Sequence, residues 1–191
     1  MNKVQTDNSN LSIKIKLRNE NLPSKKIINV LDVFSGEGEI WREIKKLNFL
    51  KTINVTRIDK RKKLQGMYLI GENVKFLATI DLSKYDVIDF DSYGFPDKQI
   101  EVCCKRIPIG TILFFTVIQS LYGDLPYNLL MASGISKRMY QKIPSIFNTN
   151  KADKIVFNYL WCKGLRNVII YYGKNDNRKR YIFGKKEWEG V

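Results

Sequence analysis

Three stretches carry the residue types from which a binding crevice can be built. Val30 to Glu39 reads VLDVFSGEGE, an apolar run that breaks at Gly36 and Gly38. Glycines there let a strand turn sharply into a helix while a ligand approaches the backbone without meeting a Cβ. A dinucleotide fingerprint needs G-x-G-x-x-G. Here Trp41 stands at the third glycine, and Glu37 and Glu39 flank the second. Carboxylates beside a helix N-terminus repel a pyrophosphate and suit a ligand with a positive charge and no phosphate. Asp59, 21 residues after Gly38, ends the next apolar run, where a carboxylate can take both hydroxyls of a ribose. The third stretch is DFDSYGFP, Asp89 to Pro96. Strand C-terminal ends face the crevice of an open parallel sheet, so Asp91, Ser92 and Tyr93 are expected to look at the same ligand. The plainer alternative, in which Asp32 and Asp59 cap loops and the glycines make an ordinary turn, does not account for the joint spacing.

Composition removes other chemistries. The 191 residues contain no histidine, which excludes Ser-His-Asp and Cys-His catalysis and every His-containing zinc site. Cys103, Cys104 and Cys162 are an odd set without C-x-x-C spacing, read as reduced core cysteines of a cytoplasmic protein rather than a zinc site or disulfide framework. The longest apolar run, around Ile112 to Phe115, is far short of the roughly 20 residues of a membrane helix, and MNKVQTDNSNLS has no apolar signal core. Neither a membrane nor a secretory route is expected. With 33 Lys+Arg against 19 Asp+Glu the net charge is +14, which favours a polyanionic partner over a merely solubilising surface.

The elements that must position these residues alternate. Residues 1–26 are polar and basic, an arm or an edge strand. Ile28 to Phe34 reads as a buried parallel strand, and Ile40, Trp41, Ile44 and Leu47 share a helical face. Thr52 to Asp59 is the second strand; residues 60–84 leave room for a third with little helix. Tyr85 to Asp91 is a strand, Ile100, Cys103, Cys104 and Ile107 a helix face, and Thr111 to Ile118 a central strand. After a long connection over 119–150, a helix carries Ala152, Ile155, Val156, Tyr159 and Leu160. Asn167 to Gly173 and Arg180 to Phe183 form a hairpin. This is one α/β domain over 27–191 with a mostly parallel sheet.

These residues resemble class I S-adenosylmethionine-dependent methyltransferases: DVFSGEG is similar to their first motif, and Asp59 to their ribose acid. The resemblance implies a Rossmann-like, mostly parallel seven-stranded sheet with a C-terminal antiparallel hairpin strand. It implies S-adenosyl-L-methionine as cofactor, with Asp32, Phe34, Gly36 and Gly38 around its methionine side and Ser35 and Asp89 also among the residues that bind it. Glu72, in ENVKFL, resembles the acid near the adenine amine, with Asp81 as a rival. The loop over 89–96 is similar to the D-x-D-P-[FY]-G-S-P of tRNA (guanine-N2)-dimethyltransferases at Asp89, Asp91, Tyr93, Gly94 and Pro96; Ser92 replaces a proline and Phe95 a serine. The likeness covers roughly residues 28–175 and reaches neither end. It implies transfer of a methyl to an exocyclic nucleobase amine, RNA ahead of DNA. Asp91 and the Ser92 carbonyl would accept the amine's N–H bonds, and Tyr93 would stack on the base. DVFSGEG also looks like the first motif of DNA cytosine-C5 methyltransferases, but that chemistry needs a Pro-Cys nucleophile, which is absent.

Lys60 and Arg61, in the run 60–63, Lys137, Arg138 and Lys142 with Tyr140, and Arg178 and Arg180 with Lys185, Lys186, Tyr181 and Trp188 mix cations with aromatics. That mixture suits phosphate contact and base stacking. For the hairpin the rival account is a charged edge that blocks sheet-to-sheet pairing. Two other functions stay open: the same cofactor with a protein or small-molecule acceptor, and a non-catalytic relative that binds nucleic acid.

Overall fold

The computed structural model describes residues 10–61, 64, 66–92, 94–119, 125–142, 151–174 and 176–189. Seven strands form one sheet in the order β3-β2-β1-β4-β5-β7-β6. β1 (Ile27–Asp32), β2 (Thr52–Asp59), β3 (Leu69–Ile70), β4 (Val87–Phe90) and β5 (Ile112–Ile118) run parallel. β7 (Asp176–Lys186) lies antiparallel between β5 and β6 (Leu165–Gly173). The central strands are apolar on both sides because both faces of the sheet are covered. On one face Ile28, Val30, Val87 and Phe114 pack with Trp41 and Ile44 of α2 (Glu39–Leu47) and Leu17 of α1 (Leu11–Glu20). On the other, Leu31, Ile88, Leu113 and Phe115 meet α3 (Asn73–Thr79), α4 (Asp97–Cys104), α5 (Tyr127–Ala132) and α7 (Lys151–Cys162) through Leu77, Ile100, Leu129 and Val156. α6 (Lys137–Lys142) lies in the connection after β5.

The chain leaves β1 for β2 and β3 on one side, then returns to β4 on the other. The C-terminal ends of β1 and β4 therefore flank a topological switch point, where an open sheet leaves a crevice.

Three expectations are corrected. Residues 11–20 are neither arm nor edge strand but helix α1, which buries Lys14, Leu17 and Arg18 at helical spacing. The segment expected to hold little helix has a two-residue, exposed β3 and then α3. Cys103 and Cys104 are buried, but Cys162 is exposed; burial pushes the Cys104 thiol up to about 12, so the buried pair is unreactive at neutral pH. Among the described residues no helix is long and apolar enough to cross a membrane.

Candidate functional site

The turn after β1 is pinned on both sides. Val33 donates its N–H to Asp89 O in β4 (2.9 Å), Ser35 donates to Ile58 O in β2 (3.1 Å), and Gly38 donates to Ser35 O (2.7 Å). Gly36 and Gly38 both take positive φ, 49° and 70°, which a side chain disfavours. A Cβ on Gly38 would also meet Arg57 Nε at 2.9 Å. The close approach expected from a ligand is thus made, at Gly38, by an arginine of β2, whose guanidinium also donates to Gly36 O (2.6 Å).

A small cleft, about 80 Å³, opens beside this turn, walled by Asp32, Phe34, Ser35 and Gly36, by Glu37, Glu39 and Ile40, by Asp91 after β4, and by Leu11 of α1. Asp32, Phe34, Ser35, Gly36 and Asp91 are thereby brought together. Ser35 Oγ is buried with no hydrogen-bond partner among the described residues. The charge of the walls is negative, in a chain of net charge +14.

At and beneath the cleft two carboxyl groups are paired with cations from α1. Asp89, with its side chain 1% exposed, accepts two bonds from the Arg18 guanidinium, Nε to Oδ2 and Nη2 to Oδ1, both 2.6 Å, and one from Trp41 Nε1 (2.8 Å). Expected to line the cofactor, Asp89 is instead turned into the core, where Arg18 and Trp41 fill it. Asp91 accepts from Lys14 Nζ at Oδ2 (2.8 Å) and from Thr116 Oγ1 at Oδ1 (2.9 Å). Lys14, Arg18, Arg57 and Thr116 are missing from the sequence reading. No local signal points to them, because their partners lie 21 or more positions away in the chain.

Burial pushes the Asp32 carboxyl well above the usual range; Asp89 and Asp91 add to this, and Arg18 and Arg57 offset part of it. An acid with a raised folded-state value binds more protons folded than unfolded, so its contribution favours folding at low pH. It is lost as pH rises from about 3.8, the ordinary carboxyl value, through the raised one. Asp32→Asn removes that penalty. Its thermal midpoint is expected to exceed the wild type's at pH 8, and the gap is expected to close as pH falls toward 4, measured by scanning calorimetry. A gap independent of pH contradicts the assignment.

Asp59, at the end of β2, holds four bonds. Gly36 N–H reaches Oδ2 (3.0 Å) and Arg61 N–H reaches Oδ1 (2.9 Å). The Arg61 guanidinium is bidentate, Nε to Oδ1 (3.1 Å) and Nη2 to Oδ2 (3.0 Å). Burial raises the Asp59 carboxyl, but the Arg61 bonds and the Gly36 N–H more than offset it and hold it below the usual range.

The remaining expected residues scatter. Ser92 is buried, its hydroxyl donating to Gly94 O (3.1 Å) and its N–H to Phe90 O (2.8 Å). Tyr93 lies outside the described residues. Phe95, where the resembled loop has serine, is buried edge-on against Tyr159 with centroids 5.2 Å apart. Glu72 is exposed at the start of α3, outside the cleft walls, and Asp81 caps a 3-10 turn through Ser83. Lys60 is exposed, as are Arg138 and Lys142 on α6; the Lys137 side chain lies outside the described residues. Arg180 is a correction: it is 4% exposed and bonded to Asp153 and Gln119, both at 2.5 Å, so it braces α7 rather than meeting a phosphate. Arg178 and Lys179 sit where β7 pairs with the end of β5, on the cleft side. Lys185 lies at the opposite end, opposite Ile112, and the Lys186 ammonium is buried on the carbonyls of Lys163 and Glu189.

No family model matches this sequence, and no curated protein matches it. Solved structures do. A SAM-dependent methyltransferase from Archaeoglobus fulgidus superposes with TM-score 0.58 at 14% identity, over 92% of this chain and 93% of that one. A phosphoethanolamine N-methyltransferase from Haemonchus contortus gives 0.57 at 11%, over 93% and 53%. A precorrin-6y C5,15-methyltransferase from Geobacter metallireducens gives 0.55 at 10%, over 98% and 93%. The chain spans nearly all of the first and third, and about half the length of the second. Likeness at these identities, joined to the strand order and the reversed β7, establishes the architecture: the chain has the Rossmann-like fold of class I methyltransferases.

Proposed function

We propose that this chain is an S-adenosylmethionine-dependent methyltransferase acting on an exocyclic amine of a nucleic acid, RNA ahead of DNA. The observation that carries the reading is an acidic cleft at the switch point of a strongly basic chain. Such a cleft suits a cofactor bearing an ammonium and a sulfonium, and the basic exterior suits a polyanionic acceptor.

The residues present fit that cofactor. Asp32, Glu37 and Glu39 offer carboxyl groups around its amino-acid half, Ser35 Oγ is an unused partner, and Asp59, at the end of β2 and outside the cleft walls, would be the acid for its ribose. When bound, the cofactor supplies an electrophilic methyl group. Asp91 would accept N–H bonds from the incoming amine. Each of its oxygens already takes one bond, from Lys14 or Thr116, which fixes the carboxylate's orientation while leaving an acceptor position on each. Tyr93 in this reading stacks on the base. Lys60, Arg178 and Lys179, on the cleft side of the sheet, would meet phosphates. The match of the loop over 89–96 to the tRNA (guanine-N2) enzymes supports an amine acceptor of guanine type, and the chain's neighbours in fold, named for carbon and phosphoethanolamine methylation, span other acceptors.

The test is incubation of the full chain with methyl-labelled cofactor and separate pools of tRNA, rRNA, DNA and protein. Label is expected in an RNA pool and should fall steeply with salt; label confined to protein overturns the acceptor. Asp59→Ala should weaken cofactor binding about 10- to 100-fold, the order of one hydrogen bond to a charged acceptor, read by calorimetry. A second reading, a non-catalytic relative that binds nucleic acid, is favoured by the completeness with which Arg61 fills Asp59 and Lys14 meets Asp91. It predicts no heat with cofactor.

A further inference from the structure

A carboxylate offers about four lone-pair positions, and at Asp59 four donors occupy them. The four are not equivalent. The Gly36 and Arg61 N–H groups belong to the backbone and orient the carboxylate whatever the side chains do. The two guanidinium bonds are made by one side chain, 35% exposed, and they lie one on each oxygen, as two neighbouring hydroxyls of a ribose would. The Arg61 backbone is also held by a contact that does not use its side chain: Tyr68 donates its hydroxyl to Arg61 O (3.1 Å) and accepts Leu64 N–H (3.1 Å). The guanidinium can therefore leave without breaking either bond. Its neighbour in sequence, Lys60, is exposed, and the basic run continues from there.

We propose that Arg61 is an exchangeable occupant of the ribose position, displaced from Asp59 by a nucleoside's two hydroxyls and then free to join Lys60 in contacting the phosphates of a nucleic-acid chain. The inference rests on the cofactor reading above. It makes the two ligands mutually reinforcing. A phosphate chain that draws Arg61 outward uncovers Asp59, and a nucleoside seated on Asp59 releases Arg61 toward phosphate; by linkage the two enhancements are equal. The depressed Asp59 carboxyl and raised Arg61 guanidinium agree with a closed pair in the unliganded chain.

The experiment is calorimetric titration of S-adenosylhomocysteine into the full-length wild type, R61M and R61K, each with and without a single-stranded oligouridylate. R61M is expected to bind about tenfold tighter than wild type, and R61K, which keeps the charge but not the fork, between them. The oligouridylate should tighten binding to wild type and leave R61M unchanged. Binding by R61M equal to or weaker than wild type overturns the exchange. An oligouridylate without effect on wild type overturns the coupling to phosphate. If R61M folds poorly, R61K carries the same comparison with wild type. Absence of heat with all three proteins retires the cofactor reading itself and the exchange with it, whereas equal heats retire the exchange alone.

Discussion

Arg18→Met should be the most destabilising single change at this end of the sheet, by about 3–5 kcal/mol, the usual cost of leaving one partner of a buried ion pair alone. Arg18 and Asp89 each have side chains 1% exposed, and the guanidinium makes two bonds of 2.6 Å to the carboxylate and a third to Lys14 O (3.1 Å). Methionine fills much of the volume but leaves Asp89 with one side-chain donor, Trp41 Nε1. For a chain of this size the loss corresponds to about 6–20 °C in thermal midpoint. Arg18→Met/Asp89→Asn should recover most of it, because the second change removes the stranded charge. A single variant within 1 kcal/mol of wild type shows that the pair is not what seats α1. The consequence reaches the site, since α1 brings Leu11 to the cleft and Lys14 to Asp91.

Asp91→Asn is expected to lower turnover about 10²- to 10³-fold, the range for removing one preorganised polar group at a reacting centre, while S-adenosylhomocysteine affinity stays within about threefold. The amide keeps the shape but exchanges one acceptor oxygen for an NH₂; turned toward Thr116, whose hydroxyl can accept it, the amide keeps the Lys14 bond at its oxygen. It then presents the incoming amine with one acceptor oxygen in place of two and carries no negative charge. Lys14→Met separates positioning from bulk stability. It should reduce kcat more than it changes KM, and combined with Asp91→Asn it should add little, as expected of two groups acting as one unit. Near-normal turnover by Asp91→Asn on the true acceptor removes the role assigned to this carboxylate.

The parallel core was legible because burial on both faces leaves nearly continuous apolar runs, as in TILFFTVI and INVLDVF. The hairpin was legible from its polar turn. α1 was not, since its inward positions are Lys14, Leu17 and Arg18; a periodicity search looks for apolar residues where this helix carries the cations that its acids require. β3, with two exposed residues, has no pattern to read. Within the site, Asp32, Gly36 and Asp91 do come together in the cleft walls, whereas Asp59 lies outside them. Asp89 and Asp91 looked alike as acids two positions apart, and only the location of Arg18 and Lys14 separates the one turned into the core from the one in the cleft wall. Arg180 is taken up for the same reason, claimed by Asp153 and Gln119. Partners distant in sequence decide these cases, and local spacing does not report them.

The central claim is a location, and amide chemical shifts report location. In a titration of ¹⁵N-labelled full-length protein with S-adenosylhomocysteine, the largest saturable shifts are expected at Ser35 to Gly38, in the turn after β1, and at Asp59 to Arg61, at the end of β2. Shifts centred elsewhere on the sheet, or none at millimolar ligand, contradict it.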